Sequence, residues 1–453
     1  MAEVRLLSTT AILGYGFPAE SLTRGMARRP DLIGADAGSV DPGPYYLGSG
    51  KGFTSPRAVK RDLQLMLRAA SDHGVPVVIS TAGGAGGQPH LEATAAIARE
   101  IAAEDKLGFK MALIGSEQDK ELLATRAEAG QTKPLAGLPP LTRRTIEAST
   151  RIVGLMGPEP YRAALDAGAQ VIIAGRSTDP APWAAAVLRG GLGHAEAWYA
   201  GKMLECGAEP ALPKKEDCLF VTVGDGYVEC EPTNPIRRCT PLSVANFALH
   251  ENSSPIRHIE PGGILDTSAC RFDAVSDRAV RISGMRWEPA ERLTIKLEGV
   301  ELAGFRSITI CATRDPVLIA NIEPYLAKVR EVVADKSAAF GIAPEAYRLI
   351  IRSYGLNGVM GDLEPLANTP AHELCFVVEA VCETQEQAAA VIGMARLTML
   401  HSDFAGRLCK EGNMAIPFSP SDIDVGPMYR FNVFHTVEAM SPTELFPITY
   451  ETV

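Results

Sequence analysis

The residues best equipped for chemistry in this sequence come in five short clusters, each just beyond an apolar run. Asp36, Ser39 and Asp41 lie in "ADAGSVDPG" and Thr81 to His90 in "TAGGAGGQPH". Glu117 and Asp119 lie in "GSEQD", Glu159 in "MGPEP", and Arg176, Ser177, Thr178 and Asp179 in "AGRSTDP". Asp36 closes its apolar run, which places its carboxylate to act as a general base; an Asp at such a point also bonds loop amides. Gly83, Gly84, Gly86 and Gly87 let backbone N–H groups converge on an anion at a helix start, with His90 beside it to give or take a proton. The same glycines would equally serve a tight strand-to-helix crossing, with His90 capping an end. Glu117 and Asp119, two apart beyond a strand, suit a shared proton, an oriented water or a divalent ion, or else a solvated loop. Arg176 offers a guanidinium fork, with hydroxyls beside it, to a substrate carboxylate; the competing arrangement is an internal Arg176–Asp179 pair. The expected catalytic set is therefore Asp36, His90, Glu117, Asp119 and Arg176. The expected substrate contacts are Ser39, Gly83, Gly84, Gly86, Gly87, Ser177, Thr178 and Asp179.

Weaker candidates lie elsewhere. His258 and Glu260 in "RHIEPGG" are metal-ligand types without a third partner at a recognisable spacing. His401 falls late in a helical pattern and reads as structural. Nine cysteines run from Cys206 to Cys409 with no C-x-x-C pair, which fits neither a disulfide framework nor a zinc finger. Thiols such as Cys230 and Cys239 have no neighbouring base and read as buried and inert. Pro89 stands where the third glycine of G-x-G-x-x-G counted from Gly84 would fall, and neither a P-loop nor a G-x-S-x-G elbow occurs. Nicotinamide, nucleoside triphosphates and serine hydrolysis of the α/β kind are thus unsupported. No cofactor is expected, and a divalent metal stays open.

The elements that must position these clusters can be read from hydrophobic patterning. "LIGADAG", "PVVISTAGG", "FKMALIGSE", "RIVGLMGPE" and "QVIIAGRSTD" are continuous rather than alternating apolar runs, as in strands covered on both faces. Helical patterns separate them, such as "SPRAVKRDLQLMLRAASDHG", with Ser55 as cap, Pro56 in the first turn and Gly74 as stop. This β-α-β repetition predicts an α/β fold whose N-terminal domain, residues 1–215, is a doubly wound parallel sheet. Ligands bind such sheets beyond the carboxyl ends of the strands. Residues 216–300 are expected as a β-rich connecting region. Residues 301–453 are expected as an α+β ferredoxin-like domain in the order β-α-β-β-α-β, with a kink or early break at Pro324.

The chain has 453 residues, 46% hydrophobic and 22% charged, enough for two compact cores and ordinary for a globular protein. A net charge of −10 without any long basic run excludes a general attraction for nucleic acid. The sequence shows no signal-peptide pattern and no apolar stretch long enough to span a bilayer, so a cytoplasmic location without membrane association is expected. The sheet edges of the C-terminal unit lead to the expectation of a homo-oligomer.

Taken in order, "GADAGSVDPGPYYLGSG", "STAGGAGGQPH", "GSEQDK", "AGRSTD", "EPGG" and "FSPSDIDVGPMYRF" resemble the AtuA, or acyclic terpene utilisation, family over nearly the whole chain. Many members append a small C-terminal domain, and this chain resembles the short form. The resemblance implies a place in the breakdown of branched acyclic terpenes, beside acyl-CoA enzymes, and assigns no catalytic residues. The expected function is a catabolic enzyme, of lyase/hydratase or isomerase kind, acting on a small carboxylic acid or its acyl-CoA thioester by proton abstraction with hydration, elimination or isomerisation. The alternatives are a hydrolase of an amide, ester or lactone, and a non-catalytic acyl-CoA-binding accessory subunit that works with a partner subunit.

Overall fold

The computed structural model describes residues 3–38, 42–249, 252–366, 368–408 and 411–453. It is a mixed α/β protein in two compact units, the first formed by Met1–Glu301 with Phe431–Val453 and the second by Leu302–Arg430.

The first unit is built on a ten-stranded sheet. Its parallel core comprises β1 (Val4–Ser8), β2 (Leu32–Asp36), β3 (Val77–Ser80), β4 (Lys110–Ile114) and β6 (Val171–Ala174), in the order β1-β2-β3-β6-β4. Successive residues of these strands enter different cores. Ile33, Ala35, Val77, Ile79, Val171 and Ile173 pack on one side, with helices α1 (Pro56–His73) and α2 (Gln88–Asp105). Leu32, Val78, Ile114 and Ile172 pack on the other, with Leu123 of α3 (Lys120–Glu128), Tyr161 of α4 (Glu159–Asp166), Trp183 of α5 (Ala181–Arg189) and Trp198 of α6 (His194–Leu204). Burial on both faces is why the runs are continuous. Helix α1 begins and ends as its sequence indicates: Ser55 accepts a bond from Ala58 N, and Gly74 closes it in the left-handed conformation.

Three expectations need correction. "RIVGLMGPE" forms β5 (Ser149–Gly154), but outside the parallel sheet; it pairs antiparallel with Leu297–Glu301 at the start of β11 (Thr294–Thr313). An apolar run records burial on two faces and not which strand lies beside it. The division expected at residue 215 also falls inside one unit. β7 (Leu219–Gly224) pairs antiparallel with all five residues of β1, and β8 (Tyr227–Pro232), β10 (Val280–Ser283) and β9 (Arg271–Ala274) extend the same sheet. Nor does the last unit run to residue 453: the strand Ile448–Thr452 pairs antiparallel with β4.

In the second unit, β12 (Tyr347–Tyr354), β13 (Leu374–Cys382), residues 305–313 of β11 and the first half of β14 (Asp422–Glu438) follow one another in the sheet. Helices α7 (Ile322–Ala339) and α8 (Gln385–His401) bury Val329, Val333, Val391 and Ile392 against Phe376, Val378 and Ala380. The break expected at Pro324 occurs three residues earlier, at Asn321, which leaves the proline in the first turn, where its missing N–H costs nothing.

Candidate functional site

Residues of two of the five strand-end clusters line one cavity. β2 and β6 both neighbour β3, and the end of β3 holds the loops that follow them. Ser80 Oγ donates to Asp36 Oδ1 at 2.6 Å, and Ala37 N donates to the Ser80 carbonyl at 3.1 Å. Thr81 N donates to the Gly175 carbonyl at 3.1 Å, and Ser177 N to Thr81 Oγ1 at 3.3 Å. Beyond these strand ends lies a cavity of about 570 Å³ lined by Asp36, Arg176, Ser177, Thr178 and Asp179. Its remaining wall adds Lys202, Glu205 and Cys206 from the end of α6, Glu260, and Lys296.

The cavity is a network of charges largely removed from water. Arg176 Nε donates to Glu298 Oε2 at 3.1 Å, and Lys296 Nζ lies 3.0 Å from the other oxygen of the same carboxylate. Burial works against the Arg176 cation, but Glu298, Asp179 and Asp36 more than offset it and hold it firmly charged. Lys202 Nζ donates to Glu205 Oε1 at 2.5 Å. Burial nevertheless pushes Glu205 up to about 8, with Lys202 opposing and Asp179 adding to the rise. Glu260 is likewise pushed up to about 8 by burial and by Asp179, with Lys202 opposing. Burial and the Asp179 carboxylate hold Asp36 well above the usual carboxylate range, against the hydrogen bond from Ser80, the Arg176 cation and the bond from Ala37 N. This wall thus sets carboxyl groups with raised proton affinity beside fixed cations, an arrangement that acid–base chemistry can use.

The other expected residues lie elsewhere. Among the described residues lining this cavity, Gly83, Gly84, Gly86, Gly87, His90, Glu117 and Asp119 do not appear. The glycine loop packs against protein instead. A Cβ on Gly86, at φ 68°, would lie 2.1 Å from Arg176 N, and Ser116 Oγ ties the two segments by donating to the Gly86 carbonyl and accepting from Arg176 N. The start of α2, where an external anion was expected, is taken by the chain's own carboxylate: Gln88 N donates to Glu117 Oε2 at 2.9 Å, with Arg151 Nε 3.7 Å from that oxygen. His90 is buried and donates from Nε2 to the Lys51 carbonyl at 3.0 Å, while its Nδ1 has no hydrogen-bond partner among the described residues. Burial, with help from the Arg151 cation and against the Lys51 carbonyl, lowers its pKa. Asp119 caps α3 through Leu122 N. Arg176 pairs with Glu298. Ser177 accepts from the Tyr161 hydroxyl at 2.9 Å. Ser39 lies outside the described residues.

Lys202, Glu205, Glu260, Lys296 and Glu298 were not singled out by sequence reasoning, except that Glu260 was weighed with His258 as a weak metal pair. The available signal was a lysine and a glutamate three residues apart in the otherwise apolar "AWYAGKMLECGA". His258 is buried, its pKa lowered by burial. Cys230 and Cys239 are buried, and burial raises both thiols, Cys239 to about 12, which makes them poor nucleophiles. Among the described residues no group of three or more His, Cys, Asp or Glu is arranged to hold a metal ion, and no helix is long and apolar enough to cross a membrane.

Open α/β sheets bind ligands beyond the carboxyl ends of their parallel strands, and this polar cavity lies at that place in the fold. Residues 48–210 match the family described as acyclic terpene utilisation family protein AtuA, so the resemblance read from the motifs holds over that segment. The match covers α1 to α6 and includes Arg176, Asp179, Lys202 and Glu205. No curated protein and no solved structure matches the chain.

Proposed function

We propose that this protein is a catabolic enzyme that takes a small carboxylic acid, or its acyl-CoA thioester, into the cavity beyond β2 and β6 and moves protons next to its carbonyl. The family's tie to acyclic terpene utilisation supports a branched acyl chain as substrate. The observation that carries the reading is the juxtaposition of two carboxyl groups, Asp36 and Asp179, with the cations Arg176 and Lys202 in one cavity. In a hydration, the Asp179 carboxylate takes a proton from water as its oxygen bonds to the β-carbon, and the Asp36 carboxyl delivers its proton to the α-carbon. Elimination is the reverse. Arg176 and Lys202 steady the carbonyl oxygen as negative charge builds on it. His90 and the glycine loop have no part in this scheme. No cofactor enters it. A cytoplasmic homo-oligomer remains the proposed state, and the strand order of the second unit supports its ferredoxin-like assignment.

The test is a thermal-shift screen of short branched carboxylates and their saturated and α,β-unsaturated CoA thioesters, followed by absorbance assays of thioester hydration on the hits. A ligand that stabilises the wild type should lose that effect in Lys202→Met and keep it in Asp36→Asn, with hydration lost in the latter. A stabilising ligand whose effect and turnover are indifferent to both substitutions would remove this cavity from the mechanism.

A further inference from the structure

Among the described residues, four that are not glycine have positive φ: Arg29, Thr81, Lys106 and Ala136. Thr81, at φ 45° and ψ 49°, is the β-branched one and is fully buried. A branched Cβ in this conformation crowds its own backbone, so the conformation is held by its surroundings. Those surroundings are the two loops that carry the cavity's carboxyl groups. On one side, a Cβ built on Gly38 would lie 2.3 Å from Thr81 Cγ2, so the Thr81 methyl occupies the space of the side chain Gly38 lacks. On the other, Thr81 Oγ1 accepts from Ser177 N, two residues before Asp179.

We propose that Thr81 is a positioning residue: its left-handed backbone lodges a branched side chain between the loop after β2 and the loop after β6 and so sets how closely Asp36 and Asp179 approach. Asp36 is faced by the Ser80 hydroxyl and Ala37 N from its own side and by Asp179 and Arg176 from the loop after β6. Its charge is also felt by Tyr161 of α4 and by Cys206 beyond α6. Of these, Asp179 and Arg176 act across the gap that Thr81 spans, in opposite senses. A carboxylate that draws back relieves the repulsion that keeps the proton on Asp36. The inference deepens the functional reading and rests on it only for the effect on turnover.

The experiment reads the Asp36 proton directly, by carbon NMR of protein labelled at aspartate, with Asp36→Asn to assign the signal. Thr81→Gly adopts the backbone without strain and removes the tether to Ser177 N, which frees the loop after β6 to draw back. It should move the Asp36 titration down toward the ordinary carboxylate range, leave the melting temperature unchanged or higher, and slow turnover by about 10-fold through lost alignment. Thr81→Ser keeps the bond to Ser177 N and loses the methyl against Gly38, so its titration should fall between the two, with turnover partly restored. An unmoved Asp36 titration in Thr81→Gly overturns the proposal, whatever happens to the melting temperature. If Thr81→Gly does not fold, Thr81→Ser decides in the same way. A moved titration alongside full turnover in Asp36→Asn would instead overturn the functional reading and leave the positioning role standing.

Discussion

The loop after β3 and the loop after β6 lie against each other, yet they do opposite things with their backbone. The first, with four glycines in five positions, is filled: Gly86 meets Arg176 N, Gly83 meets His90, and Glu117 takes up an amide at the start of α2. The second, "GRSTDP", has one glycine and opens onto the cavity. Glycine enrichment signals close approach of backbone, and here what approaches is the protein itself. The cavity is marked by buried charge. One loop is held by steric fit and the other by electrostatics, and the two should fail differently.

The largest effect is expected at the filled loop. Gly86→Val places a branched side chain at positive φ against Arg176 N, and should cost about 4 kcal/mol or prevent folding, read by denaturant unfolding. A stable Gly86→Val protein would break the contrast. Next comes Glu298→Gln, which leaves the buried Arg176 without its carboxylate and should cost about 3 kcal/mol. That loss should shrink when Arg176→Met is added, since the pair is then removed whole.

The cavity's acids also predict a pH dependence opposite in sign to that of His90 beside the glycine loop, whose pKa burial lowers. Glu205 and Glu260 bind their protons more tightly in the folded protein, with values near 8 against an ordinary 4.5. Their contribution is full below about 4.5 and is lost as pH rises to about 8, so stability should decline across that window, by at most about 1.4 kcal/mol per pH unit for each group. Glu205→Gln should flatten the decline, and an unchanged slope in that variant would contradict the assignment. The smallest effect is expected from Glu117→Gln. Weakening the partner of Gln88 N at the helix start should cost about 1 kcal/mol.

What the sequence made legible follows the same division. Asp36 and Arg176 to Asp179 could be placed because an apolar run that stops at a polar residue marks a strand end, and ligands gather there. Lys202 and Glu205 are harder to place, because an i,i+3 charge pair usually marks a solvated helix face and the apolar residues around this one are the sole local sign of burial. Lys296 and Glu298 alternate with Leu297 and read as the wet side of a strand, although Glu298 is buried. β5 was recognised as a strand and assigned to the wrong sheet, since its partner at Leu297–Glu301 is more than 140 residues away and leaves no local trace. The helix caps at Ser55 and Gly74 were legible because capping is local.

The central claim is that proton transfer belongs to the cavity beyond β2 and β6 and not to His90 in the glycine-loop helix. Comparing Asp36→Asn with His90→Asn as folded proteins, on one turned-over substrate, tests it most directly. Asp36→Asn should lower kcat by ~100-fold or more, and His90→Asn should stay within about 3-fold of wild type. A His90→Asn protein that binds the substrate but has lost its turnover, beside an active Asp36→Asn protein, would contradict the account.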